Sequence, residues 1–102
     1  MPDYGNRADG TPKSTGYFGE LQRPDGKVST ELSIGIEVDG KEVQIPLIVP
    51  TLSKPELEYL LSGAKPTKQI IQKAVIHAYR RIEMGKTPFA TSDEPPRPRP
   101  LK

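Results

Sequence analysis

"ELSIGIEVDGKEVQIPLI", residues 31–48, holds two runs of period-two alternation around one Asp-Gly pair. Leu32, Ile34, Ile36 and Val38 alternate with Ser33, Gly35 and Glu37, and Val43, Ile45 and Leu47 alternate with Glu42, Gln44 and Pro46. Such alternation puts one set of side chains on each face of a strand. Asp39-Gly40 suits a type I′ turn, whose two central residues both need positive φ. A two-residue turn fixes the register: 36 faces 43, 34 faces 45 and 32 faces 47, every pair apolar and on one face. Residue 33 then faces Pro46 at a non-hydrogen-bonded position, where the missing N–H points away from the partner. Proline is tolerated there on a sheet edge. The last strand is therefore predicted at the edge, and the longer strand, roughly 28–38, at the centre.

Working toward the N-terminus, Arg23-Pro24-Asp25-Gly26 has proline at the second turn position and glycine where a left-handed residue is needed. This predicts a type I turn with a glycine bulge, joining a strand at about 17–22 (Tyr17, Phe18, Glu20, Leu21) to one beginning near Lys27. The expected sheet is a three-stranded antiparallel β-meander. The same phrase occurs earlier as Arg7-Ala8-Asp9-Gly10, a third turn within a polar arm, 1–16, expected to fold back over the domain. The residues flanking the two copies differ and their spacing is too short for a repeat unit, so the likeness is turn chemistry.

Toward the C-terminus, Ser53-Lys54-Pro55-Glu56 is a capping box that opens a first helix, with Leu57, Leu60 and Leu61 on one face and Gly63 at its end. Thr67 opens a second, running to Met84 with Gly85 as its terminating glycine; Ile70, Ile71, Ala74, Val75, Ala78 and Ile82 form its apolar stripe. Phe89 is expected to tuck back as a plug. The fold class is thus α+β over residues 17–89, a three-stranded meander with two helices packed on one face. Residues 90–102, ATSDEPPRPRPLK, combine proline with charge and are expected to form a disordered tail. Pro95 and Pro98 have P-x-x-P spacing, but the basic residue that follows is at the wrong offset for an aromatic-groove ligand.

At 102 residues, 33% hydrophobic, with 12 Pro and 9 Gly, the chain suits one small domain with some unpacked length. The absence of Cys excludes a disulfide framework, a thiolate nucleophile and a zinc–thiolate site, and fits a reducing compartment. No apolar run approaches the ~20 residues of a membrane span, and Met-Pro-Asp-Tyr-Gly resembles neither a signal nor a transit peptide, so a soluble intracellular protein is expected, with no membrane partner. The net charge of +2 is unevenly spread: residues 17–52 carry three basic and six acidic side chains, and residues 53–89 seven basic and three acidic.

Little in this inventory points to catalysis, and no enzyme or cofactor is expected. His77, the one histidine, borders the apolar stripe with Lys73 and Arg81 four residues to either side, cations that disfavour a metal. A structural role is expected for it, and no metal site. There is no G-x-S-x-G, P-loop or dinucleotide fingerprint. Asp3, Asn6 and Asp9 are spaced by three rather than two and no Glu follows, which rules out a calcium loop. Lys65, Lys68, Lys73, Arg80, Arg81 and Lys86 make the second helix basic and offer an alternative, nucleic-acid reading. The small whole-chain excess and the lack of an aromatic ladder on the sheet argue against it.

One residue conflicts with its surroundings. Ile76 lies opposite the apolar stripe, amid Gln69, Lys73 and Arg80, with Tyr79 close by. Tyr and Arg are favoured at interface centres. Gln69, Lys73, Ile76, Tyr79 and Arg80 are therefore the candidate protein-binding residues, facing another protein or a second copy of the chain.

Pro2-Asp3-Tyr4-Gly5, Arg7-Ala8-Asp9-Gly10-Thr11, Gly16-Tyr17-Phe18-Gly19, Val49-Pro50-Thr51-Leu52 and Lys86-Thr87-Pro88-Phe89-Ala90 follow one another in a fixed order. Over about residues 2–90 this set resembles a small, largely uncharacterised module of tailed-phage and prophage proteins, sometimes free-standing and sometimes embedded in virion-associated chains. The resemblance implies a phage accessory or virion-associated protein, in the host bacterial cytoplasm or the virion, with a virion or host component as partner. A phage-encoded inhibitor of a host defence protein is the alternative. It implies no catalytic residue.

Overall fold

The computed structural model describes residues 4–7, 10–91 and 93–102. Within them the chain forms β1 (Leu21–Gln22), β2 (Val28–Ser29), β3 (Ser33–Val38), β4 (Lys41–Pro46), α1 (Lys54–Leu61) and α2 (Lys68–Glu83). The expected hairpin is present in its expected register, with Ile36 opposite Val43, Ile34 opposite Ile45 and Ser33 opposite Pro46. Asp39 and Gly40 have φ of +52° and +80°, as a type I′ turn requires. Beyond β4 the Leu47 N–H donates to the Leu32 carbonyl at 2.6 Å, which adds the third apolar pair. On the outer face Glu37 stands directly opposite Glu42.

The three-stranded meander does not form. β1 pairs with β2 and β3 with β4 as two separate antiparallel two-stranded sheets. The 23–26 turn itself is as expected: Gly26 N–H donates to Arg23 O, Arg23 N–H to Lys27 O, and Gly26 has φ +84°. The break lies after it, at Thr30 and Glu31, which are only 2% and 3% exposed. Thr30 Oγ1 donates to Ser14 O, and the Glu31 carboxylate accepts from Arg7 and Ser14. A run that would have carried one central strand from 28 to 38 is bent here to receive the arm. Residues 17–19 likewise leave the strand conformation, and Tyr17 and Phe18 enter the core.

The arm closes on itself before it docks. Arg7 N–H donates to Thr11 O, Gly10 N–H to Arg7 O and Lys13 N–H to Gly5 O. Gly10 has φ +89°; Ala8 and Asp9 of the expected third turn, and Asp3 of the rejected calcium loop, lie outside the described residues. The Arg7 guanidinium also lies 4.0 Å over the ring of Phe89, which does tuck back, and is buried.

Both helix starts follow from their caps. Ser53 and Glu56 form the reciprocal capping box of α1, and Thr67 Oγ1 accepts from Ile70 N–H at α2. α2 ends in a Schellman arrangement: Lys86 N–H donates to Arg81 O and Gly85 N–H to Ile82 O. Ile45, Leu47, Ile48 and Val49 from the hairpin side pack with Leu57, Leu60 and Leu61 of α1 and Ile70, Ala74 and Ala78 of α2 in one core. Ile82, expected within the buried stripe, is exposed, and Arg81 is buried in its place. The chain returning from α2 covers the Arg81 side of the helix, where Thr87 O and Phe89 O accept from the guanidinium. Among the described residues no helix is long and apolar enough to cross a membrane.

Gly16 is where the arm meets the break between β2 and β3. It has φ +74°, and a Cβ there would lie 2.0 Å from Thr30 O. Gly26 has a similar φ but open space around it. Gly16→Ala is expected to lower unfolding stability by about 3 kcal/mol or more, combining left-handed strain with a backbone clash, and Gly26→Ala by about 1 kcal/mol from the strain alone. Urea unfolding of the two variants distinguishes them; equal losses would mean that the arm does not pack on Thr30.

Candidate functional site

The face of α2 opposite the core presents Gln69, Ile76 and Arg80 to solvent, and Tyr79 beside them. Ile76 is 52% exposed and Tyr79 44%; Ile82, 45% exposed, lies about 120° around the helix from Ile76, with Tyr79 between them. The apolar area is thus broader than one isoleucine, running Ile76, Tyr79, Ile82 at steps of three residues along the helix surface. Lys73, placed in this face by the sequence, has a second occupation. Its Nζ donates to Glu56 Oε1, which also accepts from Ser53 N–H, so Lys73 ties α2 to the capping box of α1. Burial raises the Glu56 pKa, but the bonds from Lys73 and Ser53 outweigh it and hold the carboxyl below its ordinary value.

The basic set is divided by the fold. Lys65, Lys68, Arg80 and Lys86 are exposed, whereas Lys73 is paired with Glu56. Arg81 is 5% exposed and makes a bidentate pair with Glu94, at 2.7 and 3.1 Å, so it is not available to a phosphate. Glu94 is itself held by a local turn: Thr91 N–H donates to Glu94 Oε1 and Glu94 N–H to Thr91 O. The Arg81 bonds, with those of Thr91, bring the Glu94 carboxyl down to about 2. Sequence reasoning missed this pair, although Thr91 and Glu94 have the spacing of a capping box.

His77 lies beside the pair. Its Nε2 is 2.9 Å from Tyr17 Oη, and the two rings meet edge to face with centroids 5.0 Å apart. Tyr17 Oη also donates to Pro88 O at 2.5 Å. A phenol has one proton and a carbonyl only accepts, so His77 must donate to Tyr17 from Nε2, which fixes the neutral Nε2–H tautomer. Burial, with the charges of Arg81 and Arg97, lowers the His77 pKa to about 4, and burial raises that of Tyr17 to about 12. Neither group changes protonation near neutral pH, and the pair links α2 to the returning chain through Pro88 O. Among the described residues no group of three His, Asp or Glu side chains is placed to hold a metal ion.

The His77 pKa carries a pH signature. Its folded value of about 4 lies below the ordinary 6.5, so between these the unfolded chain binds a proton that the native chain does not. Stability is expected to rise with pH across that window. His77→Gln, which keeps an amide donor and cannot titrate, is expected to flatten the rise, as urea unfolding at a series of pH values would show. A remaining fall at lower pH belongs to Glu94, Glu31 and Glu56, whose depressed carboxyls lose their stabilising contribution as they are protonated. An unchanged slope in the Gln variant would refute the assignment.

Comparison with known protein families, with characterised proteins and with solved structures gave no match.

Proposed function

We propose that the chain is a non-enzymatic module that binds another protein through the exposed side of α2. The observation that carries this reading is the apolar strip of Ile76, Tyr79 and Ile82, each more than two-fifths exposed, on a helix whose free charges are mainly basic. One exposed isoleucine needs no explanation. Neighbouring exposed apolar side chains, here Ile76 beside Tyr79 and Tyr79 beside Ile82, form a patch of the kind that marks an interaction site. Gln69 and Arg80 supply a polar rim, and the exposed Lys68 and Arg80 would steer an acidic partner. The tyrosine beside the isoleucines supplies a rigid anchor with one polar end.

The phage resemblance supplies the setting for this proposal. The partner is then a virion component, or a host protein such as a defence factor, met in the bacterial cytoplasm or in the particle. The polar pair closest to a catalytic arrangement, His77 and Tyr17, is held in neutral forms, which favours binding over chemistry.

Ile76→Asp is expected to change folding stability by no more than ~0.5 kcal/mol, as is usual for surface positions. It is expected to weaken partner association by ~1–2 kcal/mol or more, as loss of a central anchor does. Capture from infected bacteria with the native and variant chains, followed by titration of the recovered partner, measures the second quantity. Recovery of the same partner at the same affinity by both chains would remove α2 as the contact face. A nucleic-acid complex weakening steeply with salt in a gel shift would instead transfer the function to Lys65, Lys68, Arg80 and Lys86.

A further inference from the structure

The segment after Glu94 stays on the domain. The Arg97 N–H donates to Tyr17 O at 2.8 Å, and Lys54 N–H, at the start of α1, donates to Lys102 O at 2.7 Å. Between them Pro96 rests on Gly19, where an added Cβ would lie 3.4 Å from the Cβ of Pro96. Pro95, Pro96 and Pro98 have no N–H, so Arg97 carries the one backbone donor of that stretch, and it is the donor that meets Tyr17 O. Prolines favour a polyproline II strand, which has three residues per turn. Glu94, Arg97 and Pro100 are spaced by three and therefore share one edge of such a strand. Each meets the body: the Glu94 side chain through Arg81, the Arg97 backbone N–H through Tyr17 O while its side chain stays in solvent, and Pro100 by its partial burial.

We infer that Tyr17, Gly19 and the Lys54, Leu57 and Leu61 side of α1 form a binding site for an extended proline-rich peptide, occupied in cis by residues 95–102. The site lies apart from the exposed face of α2 and does not rest on its proposed role. Two backbone hydrogen bonds and a proline against a glycine hold the strand, and none of these contacts requires it to belong to the same chain. The fit also leaves room. α1 and the segment border an open cleft of about 310 Å³, lined by Leu57 and Leu61 on one side and Arg99, Pro100 and Leu101 on the other. Leu101 is left in solvent. An occupant that does not fill its groove can be displaced by one that does.

The full-length Arg97→Pro variant tests this. It removes the single N–H that Tyr17 O accepts, keeps the strand proline-rich, and changes an exposed side chain. In the variant the amides of Arg99, Leu101 and Lys102 are expected to show the fast relaxation of a released segment. A synthetic peptide of residues 95–102, with native Arg97, is then expected to bind the variant and shift the amides of Gly19, Leu57 and Leu61. The wild-type chain should bind the same peptide more weakly, because its own segment competes at an effective concentration on the order of 1 mM; for a peptide Kd of about 0.1 mM the difference is about tenfold. Arg97→Ala keeps the N–H and should behave as wild type. The inference is overturned if the peptide does not bind the Pro variant at millimolar concentration, if variant and wild type bind it equally, or if the shifts fall elsewhere.

Discussion

The buried carboxylate of Glu31 decides how the rest of the chain is arranged. It accepts from Arg7 Nε and Nη2 and from the Ser14 N–H and hydroxyl, four donors from a single segment. Burial alone would favour the neutral acid; these hydrogen bonds and the Arg7 charge reverse that and hold the carboxyl below its ordinary value. An ionised group in this position is tolerable only while its partners stay, since removing one partner of a buried pair typically costs about 3–5 kcal/mol. Arg7 and Ser14 of the arm are therefore bound into the folded domain. Docking of the arm bends the backbone at Thr30 and separates β2 from β3. It also makes Gly16 unavoidable and carries Arg7 over Phe89. One carboxylate thus connects the beginning of the chain, the sheet region and the segment that follows α2.

A second ion pair does the corresponding work beyond α2. Arg81 holds Glu94 and two backbone carbonyls at once, and its guanidinium lies 5.6 Å from the Tyr17 ring centroid. Tyr17 contributes its hydroxyl to Pro88 and His77 and its carbonyl to Arg97, so one aromatic residue serves both the core and the returning strand. The apolar core supplies the bulk of the burial, while these polar contacts select which surfaces the two terminal segments cover.

What the sequence made legible was local. The hairpin, its register, both helix caps and the glycine stops each depend on residues a few positions apart, and all appear where their chemistry places them. The meander was not legible because the residue that interrupts it, Glu31, finds its partner twenty-four positions away. Nothing in an otherwise regular strand pattern announces that one acid will be buried. The same holds for the candidate face. Ile76 reads correctly from the helical wheel, but Ile82 and Arg81 exchange roles because the side on which the chain returns after α2 is a tertiary choice. Arg81 already stood at stripe spacing with Ile70, Ala74 and Ala78, and its charge concealed this. In the last residues composition suggested a disordered tail, whereas the Thr91–Glu94 turn and the N–H of Arg97, the one donor among residues 95–98, give it points of attachment.

The facing carboxylates Glu37 and Glu42 work against the hairpin that carries them, since like charges directly opposite weaken a strand pair. Their presence has a consequence for how copies of the chain meet. β3 and β4 form a sheet of only two strands, each with an outer edge of backbone groups on which another strand could template. A copy pairing with the outer edge of β4 so that Glu42 stands opposite its own counterpart would bring a third and a fourth carboxylate into the same row. The repulsion that slightly loosens one hairpin therefore grows as strands are added in that register, which opposes fibre growth through this sheet.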